Sequence, residues 1–317
     1  MKLSEIYRAA IEAAIDADPR SREEVEAELK REKERFEKLS EDEQELYDRE
    51  RLENPYSDTR ILWGDPGTEV ESVMAGIDIE AAELLVADRL RERGRRVDLA
   101  LTHHPEGIGL TGLPEVMKMQ ADAWEHYGVP INIGESLIDK RRAEVRRSLL
   151  PANHNRAVDT ARLLDIPYMC AHTVADNLVA HFLQERFDSA GVRTLGDIVK
   201  SLKELPEYRE AARLGVGPTV LVGSDDRRTG KVWVDMTGGT EGPEGVVAKL
   251  AAAGVGTLVG MHMSDKLREK AEENGLNVVI AGHIASDGLG LNLLLDRLEA
   301  QGVEIIPAAG LVRASRT

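Results

Sequence analysis

Four short apolar runs in this 317-residue chain are each followed at once by histidine. Residues 97–101 lead to His103-His104, and residues 167–170 lead into Ala-His-Thr-Val-Ala-Asp, with His172 and Asp176. Residues 257–260 lead to Met-His-Met-Ser-Asp, with His262 and Asp265, and residues 277–281 lead to Gly-His-Ile-Ala-Ser-Asp, with His283 and Asp287. His172/Asp176 and His283/Asp287 are both four apart, so each pair shares one helical face if its segment opens a helix. One such pair has a plain explanation, an aspartate capping a helix beside a core histidine. Two pairs and a His-His doublet, all at the ends of apolar runs, are costly as packing, because buried imidazoles and carboxylates need partners.

Imidazole and carboxylate donors without thiolate describe a transition-metal site. His103, His104, Asp176, His283 and Asp287 make five candidate ligands. A structural zinc site takes four protein ligands and a one-metal catalytic site three plus water. Five nitrogen and oxygen donors suit two divalent ions about 3.5–4 Å apart that together activate a water. Zinc, iron, manganese, cobalt and nickel all accept such a set. His172 and His262 remain as candidate catalytic groups, for proton transfer or for support of the ligands, since imidazole titrates near neutral pH.

The elements that must position these residues are visible as an alternation. From about residue 60, apolar runs at 60–63, 73–77, 219–222, 232–236 and 303–306 join the four above as nine expected strands. Helical patterns lie between them at 80–93, 114–127 and 176–187. This predicts an α/β fold with largely parallel sheets, in which chemistry gathers at the carboxyl ends of strands. Residues 223–235, Gly-Ser-Asp-Asp-Arg-Arg-Thr-Gly-Lys-Val-Trp-Val-Asp, read as a hairpin turn that would pair 219–222 with 232–236. Residues 1–55 are charged and nearly free of strand signals. They predict a helical extension of two helices broken near Pro19, the second capped by Ser21 with Glu24 three residues on. Many acid–base pairs at helical spacing point to a solvated arm. Leu3, Ile6, Ala10, Ile11 and Ala14 nevertheless mark one apolar face, which should dock on the chain's own body or on a neighbouring subunit.

Composition narrows the classes. A formal net charge of -16 argues against nucleic acid as a partner, because phosphates need neutralising cations. No apolar run is long enough for a membrane span, and the first twenty residues do not read as a signal peptide. Cys170 alone excludes an internal disulfide and a cysteine-rich zinc site, and its place in a strand reads as a buried, inert thiol. Together these features point to the cytoplasm. Residues 237–245, Thr-Gly-Gly-Thr-Glu-Gly-Pro-Glu-Gly, precede a helix and read equally as a phosphate-holding helix start or a flexible loop. Residues 223–231 lack the spacing and hydroxyl of a phosphate loop, and no nucleophile elbow supports a serine hydrolase.

These motifs resemble those of the Nif-three-like family, dinuclear-metal proteins labelled GTP cyclohydrolase I type 2 homologues. The family's His-His-Pro strand end is similar to His103-His104-Pro105, and its upstream segment to Gly64-Asp65-Pro66, Glu69-Val70 and Ile77-Asp78. Its Ala-His-Thr-Asn-Leu-Asp signature resembles Ala171-His172-Thr173-Val174-Ala175-Asp176, and its late Gly-Gly loop resembles Gly238-Gly239. Its Gly-His-x-x-Thr-Glu signature resembles Gly282-His283-Ile284-Ala285-Ser286-Asp287. The resemblance covers roughly residues 60–300 and implies the same five metal ligands, His103, His104, Asp176, His283 and Asp287, around two divalent ions per subunit. It further implies two related lobes with a dimetal cleft between them, and a ring-like homo-oligomer, commonly a hexamer. Three departures stand out. Asp287 is one methylene shorter than the family's glutamate, Val174-Ala175 replace Asn-Leu, and Glu106 follows the proline where an apolar residue is usual.

The expected division is a helical extension at 1–55, a first α/β lobe at 56–188 and a second at 189–317. The expected function is a metal-dependent hydrolase acting on a small phosphorylated or nucleotide-like substrate, of GTP cyclohydrolase type by the family's label. A non-catalytic metal-binding scaffold that recruits a partner protein, and a phosphoesterase, use the same residues and stay open at this level.

Overall fold

The computed structural model describes all 317 residues. Nine strands form: β1 (Thr59–Trp63), β2 (Ser72–Gly76), β3 (Leu99–Thr102), β4 (Tyr168–Ala171), β5 (Thr219–Val222), β6 (Lys231–Asp235), β7 (Val255–Gly260), β8 (Asn277–Ile280) and β9 (Glu304–Pro307). Each falls within about two residues of an apolar run named above. They build two sheets, ordered β1-β4-β3-β2-β9 and β5-β8-β7-β6. β2, β3 and β4 are buried at every position, which is what an unbroken apolar run buys in a parallel sheet covered on both faces. The fold is α/β, as expected.

Two expectations about pairing change. β5 and β6 do not form a hairpin; they lie on opposite edges of the second sheet, β5 antiparallel to β8 and β6 parallel to β7. The loop between them is pinned elsewhere: Leu195 and Gly196 N–H groups donate to the carbonyls of Arg227 and Asp225, and Thr229 N–H donates to Arg193. With its backbone spent on that contact, the loop cannot close a tight turn. The second change concerns residues 189–317, which do not all attach to the second sheet. β9 returns to the first, pairing parallel with β2 from Ser72↔Glu304 to Ala75↔Pro307.

The extension folds as α1 (Leu3–Asp16), α2 (Arg22–Phe36), α3 (Glu41–Leu46) and a 3-10 turn, Arg49–Leu52. The capping box forms as the sequence suggests, Glu24 N–H donating to Ser21 Oγ at 3.2 Å and Ser21 N–H to the Glu24 carboxylate at 2.6 Å. α2 is a solvated helix with only Val25 buried. α1 is not: Leu3, Ile6, Ala10 and Ala14 are completely buried, in one core with Val73, Leu101 and Leu294. Its apolar face docks on the chain's own body.

The remaining helices wrap the sheets. Between β2 and β4 run α4 (Ala81–Glu92), α5 (Gly107–Val116), α6 (Met119–His126), α7 (Ile131–Leu149) and α8 (Arg156–Leu163). The single helix expected at 114–127 is therefore two, with the break at Met117-Lys118. Further on come α9 (Thr173–Ala190), α10 (Leu195–Lys203), α11 (Pro206–Arg213), α12 (Gly245–Ala252), α13 (Asp265–Glu273) and α14 (His283–Glu299). α9 and α14 place side chains in the cores of both sheets: Leu178 and Leu291 on one side, Leu183 and Leu289 on the other. They cross so closely that a β-carbon on Gly290 would lie 2.2 Å from the carbonyl oxygen of Ala175. Only glycine permits that crossing, and it sets Asp176 opposite Asp287.

Candidate metal centre

The carboxyl ends of strands from both sheets deliver the donors. His103 and His104 extend β3: their N–H groups donate to the carbonyls of Gly76 and Ile77, so the ladder with β2 continues two residues past the strand. His172 follows β4 and opens α9, with Asp176 one turn on. His283 is the first residue of α14, with Asp287 one turn on; Gly282 before it holds φ 113°, a conformation that suits glycine.

These residues meet. His103 Nε2 lies 3.6 Å from Asp176 Oδ1 and 3.5 Å from Asp287 Oδ1. Asp287 Oδ2 lies 3.5 Å from His104 Nε2 and 3.4 Å from His283 Nε2. Two overlapping groups, His103-His172-Asp176 and His103-His104-Asp287, each hold their donor atoms within 4.8 Å of one another. His103 Nε2, Asp176 Oδ1 and both Asp287 oxygens are buried without a hydrogen-bond partner. Folded proteins rarely leave such groups unpaired, because each costs about 1–3 kcal/mol or more. The two donor groups to which these atoms belong could hold metal ions, which would give the atoms partners.

Neighbouring groups fix the imidazoles. His103 Nδ1–H donates to the carbonyl of Ala171 at 3.2 Å, which leaves the Nε2 lone pair facing the carboxylates. His104 Nδ1 is 2.6 Å from Asp78 and His172 Nδ1 is 2.8 Å from Asp58, whose same oxygen accepts from the Thr173 hydroxyl at 2.6 Å. Asp58 is completely buried, and its other oxygen has no partner.

The charges are strongly coupled. Burial alone would raise the Asp287 carboxyl, but the imidazoles gathered around it, His103 first and then His104 and His283, outweigh burial and hold the group far below the usual carboxylate range. Burial pushes Asp176 well above its ordinary value; His103 offsets this only in part, and the like charges of Asp287 and Asp58 add to it. His104, which burial would lower, is instead raised to about 9 by the nearby Asp287 carboxylate and its hydrogen bond with Asp78. His283 is lowered, by burial first and by the neighbouring His262 and His104 against the pull of Asp287.

The donors open onto a cleft of about 340 Å³ lined by His104, His172, Asp176, His283 and Asp287, with His262 on its exposed rim. His262 stands edge-on to His283, ring centroids 5.0 Å apart, and belongs to neither donor group. Thus four of the five residues expected as ligands, His103, His104, Asp176 and Asp287, fall in the two donor groups; His172, expected beside them, joins one group, while His283 approaches Asp287 from outside both and, with His262, lines the same cleft. Asp58 was not foreseen as part of the site. It lies more than a hundred residues before its partner His172, and nothing in Tyr-Ser-Asp-Thr marks it. Asp78 was visible only through the family segment. Cys170 is buried, donates to the Asp58 carbonyl at 3.3 Å, and is pushed up to about 12 by burial and the Asp58 charge, so it is the inert thiol expected. The Gly238-Gly239 loop is fastened, with Gln120 donating to the carbonyls of Gly238 at 2.6 Å and Thr240 at 2.7 Å.

No protein-family model and no curated protein matches the chain. Solved structures do. A NIF3 superfamily protein from Sphaerobacter thermophilus is 30% identical, with a TM-score of 0.71 over 82% of this chain and 94% of that one. More distant are reduced HcgD from Methanocaldococcus jannaschii, 17% identical over 78% and 87% with a TM-score of 0.43, and a Bacillus cereus protein related to NIF3, 13% identical over 82% and 92% with a TM-score of 0.41. With near-complete coverage of the first relative and His/Asp clusters able to hold metal, the chain belongs to the NIF3 superfamily.

Proposed function

We propose that this protein is a metal-dependent hydrolase with a dinuclear centre, in which His103, His104, Asp176, His283 and Asp287 hold two divalent transition-metal ions. The carrying observation is the convergence of four buried donor atoms that no protein group engages: His103 Nε2, Asp176 Oδ1 and both oxygens of Asp287. When bound, the ions supply Lewis acidity and acidify a water. The chain's own residues do the rest. Ala171 and Asp78 hold the rings of His103 and His104 with Nε2 toward the carboxylates. Asp58 holds the Nδ1 proton of His172, so its Nε2 is free to accept or return a proton in the cleft. His262, exposed beside His283, exchanges protons between the cleft and solvent.

The substrate class is a small phosphorylated or nucleotide-like molecule, which a cleft of about 340 Å³ accommodates. That opening also favours an enzyme over a metal-stabilised scaffold, since purely structural sites are closed by their ligands. A homo-oligomer, hexameric as the resemblance implies, belongs to this reading.

The test pairs elemental analysis with a screen of phosphate esters and nucleotides on metal-loaded and chelated protein, and sizing by light scattering. About two ions per chain and metal-dependent turnover are expected. A folded protein that takes up no metal, or whose metal content is unchanged by Asp287→Ala, would overturn the assignment.

A further inference from the structure

β6 is an edge strand of the second sheet, and a cavity of about 660 Å³ runs beside it, walled by α6 and α9. Asp235 and Thr237, at the carboxyl end of β6, line both this cavity and the metal cleft. Side chains alternate along a strand, so Lys231, Trp233 and Asp235 share one side. Contacts agree: the Lys231 ammonium lies 4.6 Å from the Tyr127 ring centroid, and that ring lies 5.2 Å from Trp233.

The polar groups of the lining are nearly all engaged. Gln184 accepts from Val234 N–H at 3.0 Å and donates to the Val232 carbonyl at 3.3 Å, covering the open strand edge. Gln120 is fastened to the Gly-Gly loop, His126 to the Pro19 carbonyl at 2.9 Å, and Thr237 to Asn177 at 2.5 Å. Two charged side chains of the lining make no hydrogen bond or ion pair with the protein. They are Lys231, which only rests on the Tyr127 ring, and Asp235.

We infer that this cavity is a second compartment of the same site, which holds the anionic, non-reacting end of an elongated substrate at Lys231 and accepts a hydrogen bond from an N–H of its reacting end at Asp235. Residues four apart on a strand are separated by roughly 13 Å, so the ligand is of about that length. Burial, with Glu241 adding, pushes the Asp235 carboxyl up to about 7, the state of an acid lacking a donor to hold its charge. A ligand N–H would supply that donor. The inference rests on the proposed hydrolase only in placing the reacting end at the metal cleft.

The experiment is titration calorimetry on the full chain, metal-free and manganese-loaded, with three probes. Adenosine 5′-monophosphate carries both an anion and an amino donor; adenosine lacks the anion, and ribose 5-phosphate lacks the donor. The monophosphate should bind about tenfold or more tightly than either fragment. Lys231→Ala should reduce it to the affinity of adenosine without changing adenosine itself, and Lys231→Arg should restore most of the loss. Lys231 is exposed, so the alanine variant keeps its fold, checked by thermal melting. Failure of all three probes to bind, or a monophosphate affinity indifferent to Lys231→Ala, would overturn the inference. Monophosphate binding by a protein that takes up no metal would instead defeat the hydrolase and leave the compartment standing. Normal metal uptake without monophosphate binding would do the reverse.

Discussion

Asp287 reaches three imidazoles from one carboxylate: His103 through Oδ1, His104 and His283 through Oδ2. It lies one turn into α14, and its short side chain still reaches all three rings. Asp287→Ala removes both oxygens and should leave fewer than half of the ions bound, read by elemental analysis. The proton inventory gives a second check. His104, raised to about 9, is protonated at neutral pH in the metal-free chain, and Asp176 is raised as well. Metal ligands must be deprotonated, so metal uptake at pH 7 should release at least one proton per chain. The release should fade as the pH rises through about 9, because His104 has then already lost its proton. Calorimetry in buffers of different ionisation enthalpy measures this; uptake without proton release would remove His104 from the ligand set. At this scale the sequence was informative where a histidine followed an apolar run, because strand ends are where such residues have no packing use. It was silent on Asp58, since burial and a bond to a residue so distant in sequence leave no local pattern.

The strands were legible because β-branched and apolar runs bounded by turn residues have few other uses. Their partners were not. The loop at 223–230 has hairpin composition, yet its backbone is taken by the start of α10, a contact between distant segments that composition does not encode. α9 and α14 show the same division: both begin at residues the motifs picked out, but their crossing depends on Gly290, an ordinary glycine in the sequence. Gly290→Ala would drive a methyl into the Ala175 carbonyl, next to Asp176. The expected cost is about 1–3 kcal/mol as the helices part. Because Asp176 and Asp287 ride on those helices, metal affinity should fall with it. A variant of wild-type melting temperature and metal content would show that the crossing tolerates spreading.

For the whole molecule, α1 is part of the core that supports the first sheet. Leu3, Ile6 and Ile11 each contribute about 1.5–3 kcal/mol by burial, a sum comparable to the entire stability of a typical domain. Deleting residues 1–20 should therefore abolish cooperative unfolding and expose surface that binds a hydrophobic dye. The site would also loosen, since Asn177, beside Asp176, donates to the Ala14 carbonyl at 3.1 Å and accepts from Thr237 at 2.5 Å. A truncated chain that still melts sharply would mean the α1 contacts are dispensable. The apolar stripe of α1 was readable from its spacing; that its dock is this chain and no neighbour was not, because a stripe records only that something covers it.

The return of β9 to the first sheet has a consequence for how the protein is made. Its place beside β2 is filled by residues 304–307, after the whole second sheet has been laid down. On the ribosome, the early half must wait with β2 as an unsealed edge while some two hundred and thirty residues are added, and α14, which carries His283 and Asp287, emerges just before the closing strand. Completion of the donor set is therefore late: a nascent polypeptide stalled before α14 holds His103, His104 and Asp176 without His283 and Asp287, and its β2 edge stays open until β9 is made.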